Sequence, residues 1–161
     1  MGSSTFTEEF TSPVPAGKLF KALVLDSDNL LPKIMPQAFK SVETIEGNGG
    51  PGTIKKMNFT EGTEFKYLKS RVDALDKERM TYAYTIIEGG AFPPDKVESI
   101  SYEVKLEATT DGGCKGTNVS KYNVKPGAKI AEEQHKEAEA KSMAIFKAVE
   151  AYILANPAAY A

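Results

Sequence analysis

Six strand-length segments follow one another between Phe39 and Val124 with no helix between them, and this succession constrains the fold of the 161-residue chain more than any other feature. The segments are Phe39–Glu46, Thr53–Thr60, Phe65–Leu75, Met80–Glu88, Val97–Ala108 and Lys115–Val124, divided by glycine-rich or charged turns. Parallel strands need a crossover between successive members, so strands in direct succession pair antiparallel. An earlier alternating stretch, STFTEEFTS, sets Phe6, Glu8 and Phe10 on one face and ends at Pro13 and Pro15. Two short helical pieces come next. AGKLFKALVL carries Ala16, Leu19, Phe20 and Leu23 on one stripe; SDNLLPKIM follows, with Asp28 as its cap and Pro32 and Pro36 limiting its length. From Ile130 to about Leu154 nothing breaks a helix, and Asn156-Pro157 ends it. The order predicts an α+β fold: one seven-stranded antiparallel sheet, two short helices and a long C-terminal helix, in a single domain over residues 1–161.

The stretch EGNGGPGTIKK fits G-x-G-x-x-G through Gly47, Gly49 and Gly52, with Gly50 between them. A dinucleotide loop needs a helix after the glycines, whose N-terminus supplies amide donors to the pyrophosphate. Here TIKKMNFT follows, a strand with Thr53, Lys55, Met57 and Phe59 on one side, so the glycines read as a loop joining two antiparallel strands.

Charged residues make up 26% of the chain and the net charge is −2, which gives no bulk attraction to nucleic acid or anionic membranes. No apolar run is long enough to span a bilayer and no secretory signal is visible, so a cytoplasmic location is expected. The single cysteine, Cys114, excludes an internal disulfide and suits a reducing compartment. No cofactor fingerprint or metal-ligand spacing is read. The lone histidine, His135, sits among Glu132, Glu133 and Lys136, which predicts a solvated helix face.

The two halves of the last helix differ. The second half carries Met143, Ile145, Phe146, Val149, Tyr152 and Ile153, an apolar stripe suited to a sheet. The first half, AEEQHKEAEAKS, offers only Ala131, Ala138 and Ala140, with Gln134 and Glu137 near the same face. Little side-chain volume is available there to fill a dense core. On the strands, VESISYEVKL alternates Ile100, Tyr102, Val104 and Leu106 against Ser99, Ser101, Glu103 and Lys105. MTYAYTIIE adds Met80, Tyr82, Tyr84 and Ile86, TEFKYLK adds Phe65 and Tyr67, and Phe59 and Tyr122 complete a tyrosine-rich inner face. Buried tyrosine hydroxyls need partners, so the reading is a cavity with hydroxyls projecting into it, or a core in which tyrosines bond one another.

Several of these stretches, DSDNLLPKIMPQAFKSVETIEGNGGPGTIKK, YTIIEGG, SKYNVK and KAVEAYILANPAAY, resemble the plant intracellular pathogenesis-related class-10 proteins, typified by the major birch pollen allergen. The resemblance covers essentially the whole chain. It implies a curved sheet gripping the long helix, a large internal hydrophobic cavity, and binding of amphiphilic small molecules such as cytokinins, brassinosteroid-like compounds, flavonoids and fatty acids. It also implies cytosolic, stress-induced proteins, several of them allergens. Carried onto this chain, the binding reading takes Leu23, Leu31, Phe39, Met57, Phe59, Tyr67, Lys69, Tyr82, Tyr84, Ile86, Ile100, Tyr102 and Tyr122 from the sheet and helical end, and Gln134, Glu137 and Ala138 from the long helix. Lys69 is inward only if its strand keeps the parity of Phe65 and Tyr67. A monomer with a small-molecule ligand, without membrane or specific nucleic-acid partners, is expected.

Three other activities follow from the resemblance. Ribonuclease activity attributed to some members would fall on Lys55, Glu150 and Tyr152, with Glu98 added; RNA cleavage needs an acid, a base and phosphorane stabilisation, and one histidine is thin support. Alkaloid-forming relatives use an inward lysine, where this chain has Ile100, Tyr102 and Val104, with Lys105 outward. Abscisic acid receptors of the superfamily close a Ser-Gly-Leu-Pro-Ala gate, and the segment after IIEGG here is AFPPDK.

Overall fold

The computed structural model describes residues 2–61, 66–89, 97–127 and 132–160, with the side chains of 2, 3 and 132–134 outside that description. Strand β1 (Gly2–Ser12) leads to helix α1 (Ala16–Phe20), a π-helical turn over Lys21–Leu25 and helix α2 (Ser27–Ile34). Strands β2 (Phe39–Glu46), β3 (Ile54–Phe59), β4 (Tyr67–Asp76), β5 (Thr81–Gly89), β6 (Val97–Ala108) and β7 (Cys114–Val124) follow, then α3 (Glu132–Ala155). All seven strands form one antiparallel sheet in the order β1-β7-β6-β5-β4-β3-β2. The chain thus runs along the sheet from β2 to β7 and β1 closes the far edge. Register shifts interrupt the β2/β3, β4/β5 and β6/β7 pairs, and such bulges bend strands and raise local twist, which curves the sheet.

The helices differ from expectation in detail. The segment over 16–25 is one turn and a half of α-helix followed by a π turn, in which the Asp26 amide reaches back five residues to the Lys21 carbonyl at 2.8 Å. Asp28 does not cap α2. The capping position belongs to Asp26, whose side chain makes no capping bond, while Asp28 lies in the first turn and its carboxylate turns to Lys55. Pro32 does not end the helix, which continues two residues beyond it to Ile34.

Two separate apolar clusters hold the fold. The larger joins α1, the π turn and α2 to the C-terminal half of α3, with Leu19, Ala22, Leu106 and Val149 essentially without solvent contact. Phe10 reaches this cluster from β1 and packs on Phe146 with ring centroids 4.6 Å apart. The space for its ring comes from Gly116, directly paired with Phe10, because a Cβ there would lie 2.0 Å from the ring. The smaller cluster comprises Val97, Ile100, Tyr122 and Val124, with Phe6, Ile86 and Tyr102 against it. No helix among the described residues is long and apolar enough to cross a membrane.

Candidate functional site

Between these two clusters lies the inner face of β5 and β6. Directly paired residues share a face, so Tyr84 opposite Tyr102, Tyr82 opposite Val104 and Ile86 opposite Ile100 form one inward row. Tyr82 and Tyr84 have ring centroids 5.2 Å apart, and Tyr84 stacks on Tyr102 at 5.1 Å. The Tyr102 and Tyr122 hydroxyls are hydrogen-bonded to each other, and the Tyr122 oxygen lies 3.0 Å from His135 Nδ1. Burial is the chief cause that pushes the pKa of Tyr82 and Tyr122 up to about 12 and those of Tyr84 and Tyr102 higher still. Nevertheless Tyr82, Tyr84, Tyr102, Met57, Phe59, Ile86 and Val104 are only half-buried, although each points to the concave side. Met57, Phe59, Tyr82 and Val104 pack against the larger cluster and Ile86 and Tyr102 against the smaller, and all of them keep accessible surface.

The opposing helix supplies a half-buried Ala138 between buried His135 and half-buried Met143. Glu137 is exposed and does not face this space; Gln134 has its side chain outside the described residues. At the helical end Leu31 and Phe39 are buried and Leu23 packs against the same cluster. An open recess lined by Pro32, Pro36, Phe39, Lys40, Thr60 and Glu61 lies apart from the tyrosine row.

Tyr67 and Lys69 are corrections. Met57 pairs with Leu68 and Lys56 with Lys69, so the inward parity of β4 belongs to Leu68, Ser70 and Val72. Tyr67 and Lys69 therefore lie on the convex face. There the Tyr67 hydroxyl donates to Glu88 at 2.8 Å, Lys69 pairs with Glu88 at 3.3 Å, and Lys56 sits over the Tyr67 ring. The bond from Tyr67 and the nearby Lys69 hold the Glu88 carboxyl below its ordinary range.

His135 is the second correction. It is buried at 5% exposure, stacked on Phe6 with centroids 3.7 Å apart, and its Nε2 lies 2.6 Å from Glu8 Oε1. Its charged sequence neighbours concealed a partner 127 residues away. The available signal was Glu8 itself, a carboxylate between Phe6 and Phe10 on the inward face of β1, which demands a donor.

The glycine-rich loop uses its own amides. Gly49 donates to Thr53 Oγ1 at 2.9 Å, Gly50 to Asn48 Oδ1, Gly52 to the Val72 carbonyl and Thr53 to the Gly50 carbonyl. Gly47, Gly49 and Gly52 all have positive φ. These amides brace a turn and are not presented to a phosphate.

A family profile, that of the pathogenesis-related protein Bet v 1 family, matches residues 1–156. The chain belongs to the Bet v 1 family. It is 51% identical over 160 residues to major allergen Pru ar 1 of Prunus armeniaca and 50% identical over 160 residues to major strawberry allergen Fra a 1.08 of Fragaria ananassa, covering 99% of each chain in both comparisons. The crystal structure of Ara h 8.0201 is 46% identical with a TM-score of 0.86, covering 96% of this chain and all of that one.

The four positions that the resemblance marked for a ribonuclease reading are not brought together into one cluster here. Lys55 pairs with Asp28 at 3.0 Å, the Tyr152 hydroxyl accepts from Lys33 at 3.0 Å, and Glu150 is 3.6 Å from Lys147. Glu98 is exposed. Lys105 is exposed and pairs with Glu107 at 3.3 Å, so it does not serve the inner face as an alkaloid-forming lysine would. The segment AFPPDK lies outside the described residues.

Proposed function

We propose that this protein binds flat amphiphilic small molecules, such as flavonoids, cytokinins or related plant metabolites, between its inner tyrosine row and the first half of α3. One observation carries the reading: Tyr82, Tyr84 and Tyr102 keep accessible surface on the concave face between two dry clusters. Their rings offer apolar walls and their hydroxyls offer directional bonds, the combination that small-molecule pockets use for orientation. Desolvating about ten to fifteen ligand atoms at roughly 0.5 kcal/mol each corresponds to dissociation constants of about 1–100 μM. The protein then acts as a monomeric carrier or store in plant defence and stress responses. A cytoplasmic location suits its one thiol, Cys114, which is buried and unpaired by any disulfide. Ribonuclease and hormone-receptor readings receive no comparable support from the site. Native mass spectrometry of the protein purified from its source tissue tests the proposal. A co-purifying small molecule at one per chain, released on denaturation, is expected. Bare protein that also fails to take up any added flavonoid or fluorescent naphthalene sulfonate would contradict it.

A further inference from the structure

Where β1 meets the start of α3, the chain assembles three groups that no role in amphiphile binding requires. His135 Nε2 is 2.6 Å from Glu8 Oε1 and 3.9 Å from Glu139 Oε2, and the three ligand-type atoms lie within 4.8 Å of one another. One imidazole nitrogen and two carboxylates from different elements thus converge on one point. We propose that Glu8, His135 and Glu139 bind a divalent first-row transition metal ion, of which zinc is the representative.

Zinc held by nitrogen and carboxylate oxygen at about 2.0–2.2 Å with tetrahedral angles places its ligand atoms roughly 3.3 Å apart. The two observed separations bracket that spacing. Side-chain rotation reaches it by opening the Glu8–His135 contact and closing the Glu139 carboxylate on both His135 and Glu8, which lie within 4.8 Å of it. Glu139 follows His135 by one helical turn, so both project from the same face of α3, and Glu8 comes from the facing strand. Phe6 stacked on the imidazole limits its tilt, and the Tyr122 oxygen at 3.0 Å from Nδ1 accepts the Nδ1–H of the tautomer whose Nε2 is free to coordinate. Metal-ligating histidines are held this way by an outer partner. Imidazole with carboxylates selects zinc-like ions over calcium or magnesium, which take oxygen ligands. Three protein ligands leave a fourth position for water.

Tag-free full-length protein, stripped with chelator, is titrated with zinc chloride by calorimetry, and with cobalt to read coordination from its visible absorption. One ion per chain is expected, with affinity reduced about tenfold or more by Glu139→Gln and at least a hundredfold by His135→Gln. Glu139 is partly exposed, at 41% of its side chain, so Glu139→Gln stays folded and keeps the test decisive if His135→Gln does not. Failure of the native chain to bind at one per chain, or affinity unchanged in Glu139→Gln, overturns the site and leaves Glu8 and His135 as a structural clamp only.

Discussion

The rings of Tyr84 and Tyr102 stack with centroids 5.1 Å apart and planes 23° from parallel, projecting from directly paired positions of β5 and β6. Tyr82 extends the row, its ring 5.2 Å from that of Tyr84. In a filled core such rings would meet helix side chains. Among the described residues, this part of α3 offers Ala138 beside His135, and the tyrosines stay half-buried.

Ionisation of these hydroxyls follows. Tyr82 and Tyr122 have pKa values pushed up to about 12, and Tyr84 and Tyr102 are raised further, chiefly by burial. The folded protein therefore holds protons that the unfolded chain releases above about pH 10, so stability is intact below pH 10 and falls as pH rises through 10 to 12. Tyrosinate absorbance should remain low for this group until far-UV circular dichroism reports unfolding, and the two transitions should coincide. Full ionisation of the tyrosines at about pH 10 with the fold intact would contradict the burial.

The glycine-rich loop predicts a contrast between neighbours. Gly47 has φ of +93°, and a Cβ there would lie 2.6 Å from Thr53 Oγ1 and 2.8 Å from Thr53 Cα. Gly49 has φ of +101° with nothing within 4 Å of its would-be Cβ. Gly49→Ala should cost about 1 kcal/mol from backbone strain alone, whereas Gly47→Ala should cost about 2–4 kcal/mol because a backbone clash adds to it. Urea unfolding of both variants measures the difference. Equal losses would place the loop's constraint elsewhere.

The Lys55 ammonium spans from β3 to α2 through Asp28, with side-chain exposures of 17% and 30%. Lys55→Met keeps the aliphatic stem and removes the charge, so stability should fall by about 1 kcal/mol, the scale of a partly exposed pair. Any RNA hydrolysis by the purified protein should be unchanged by the same substitution, since Lys55 is committed to Asp28. A folded Lys55→Met variant that loses a robust, purification-independent RNA cleavage would establish the lysine as catalytic.

Most of this architecture was legible because alternation and turn chemistry act locally. The Val97–Ala108 and Phe39–Glu46 strands begin and end where their periodicity does. What escaped depends on pairing. YLKSRV alternates with Leu68 and Val72 inward, but the tyrosines of neighbouring strands suggested that Tyr67 belonged with them; the register against Met57 decides otherwise. A bulge between Val72 and Ala74 then brings Leu75 to the inner side opposite Tyr82, a parity change that no period-two pattern contains. His135 escaped for a related reason, since its environment comes from Phe6 and Glu8 on β1 and from Tyr122 on β7. The residues lining the tyrosine row, in contrast, follow from simple alternation on β5 and β6.

The most direct measurement is the affinity of a fluorescent naphthalene sulfonate and of a flavonoid for the native chain and for Ala138→Trp, with the fold checked by circular dichroism. Ala138 is half-buried and lies one helical turn from His135, whose Nδ1 meets Tyr122, so an indole there would occupy the space proposed for a ligand. The native chain is expected to bind both with dissociation constants of about 1–100 μM, and Ala138→Trp to weaken both by about tenfold or more. A folded Ala138→Trp protein that binds both ligands as the native chain does would place them on the surface and rule out binding inside the fold.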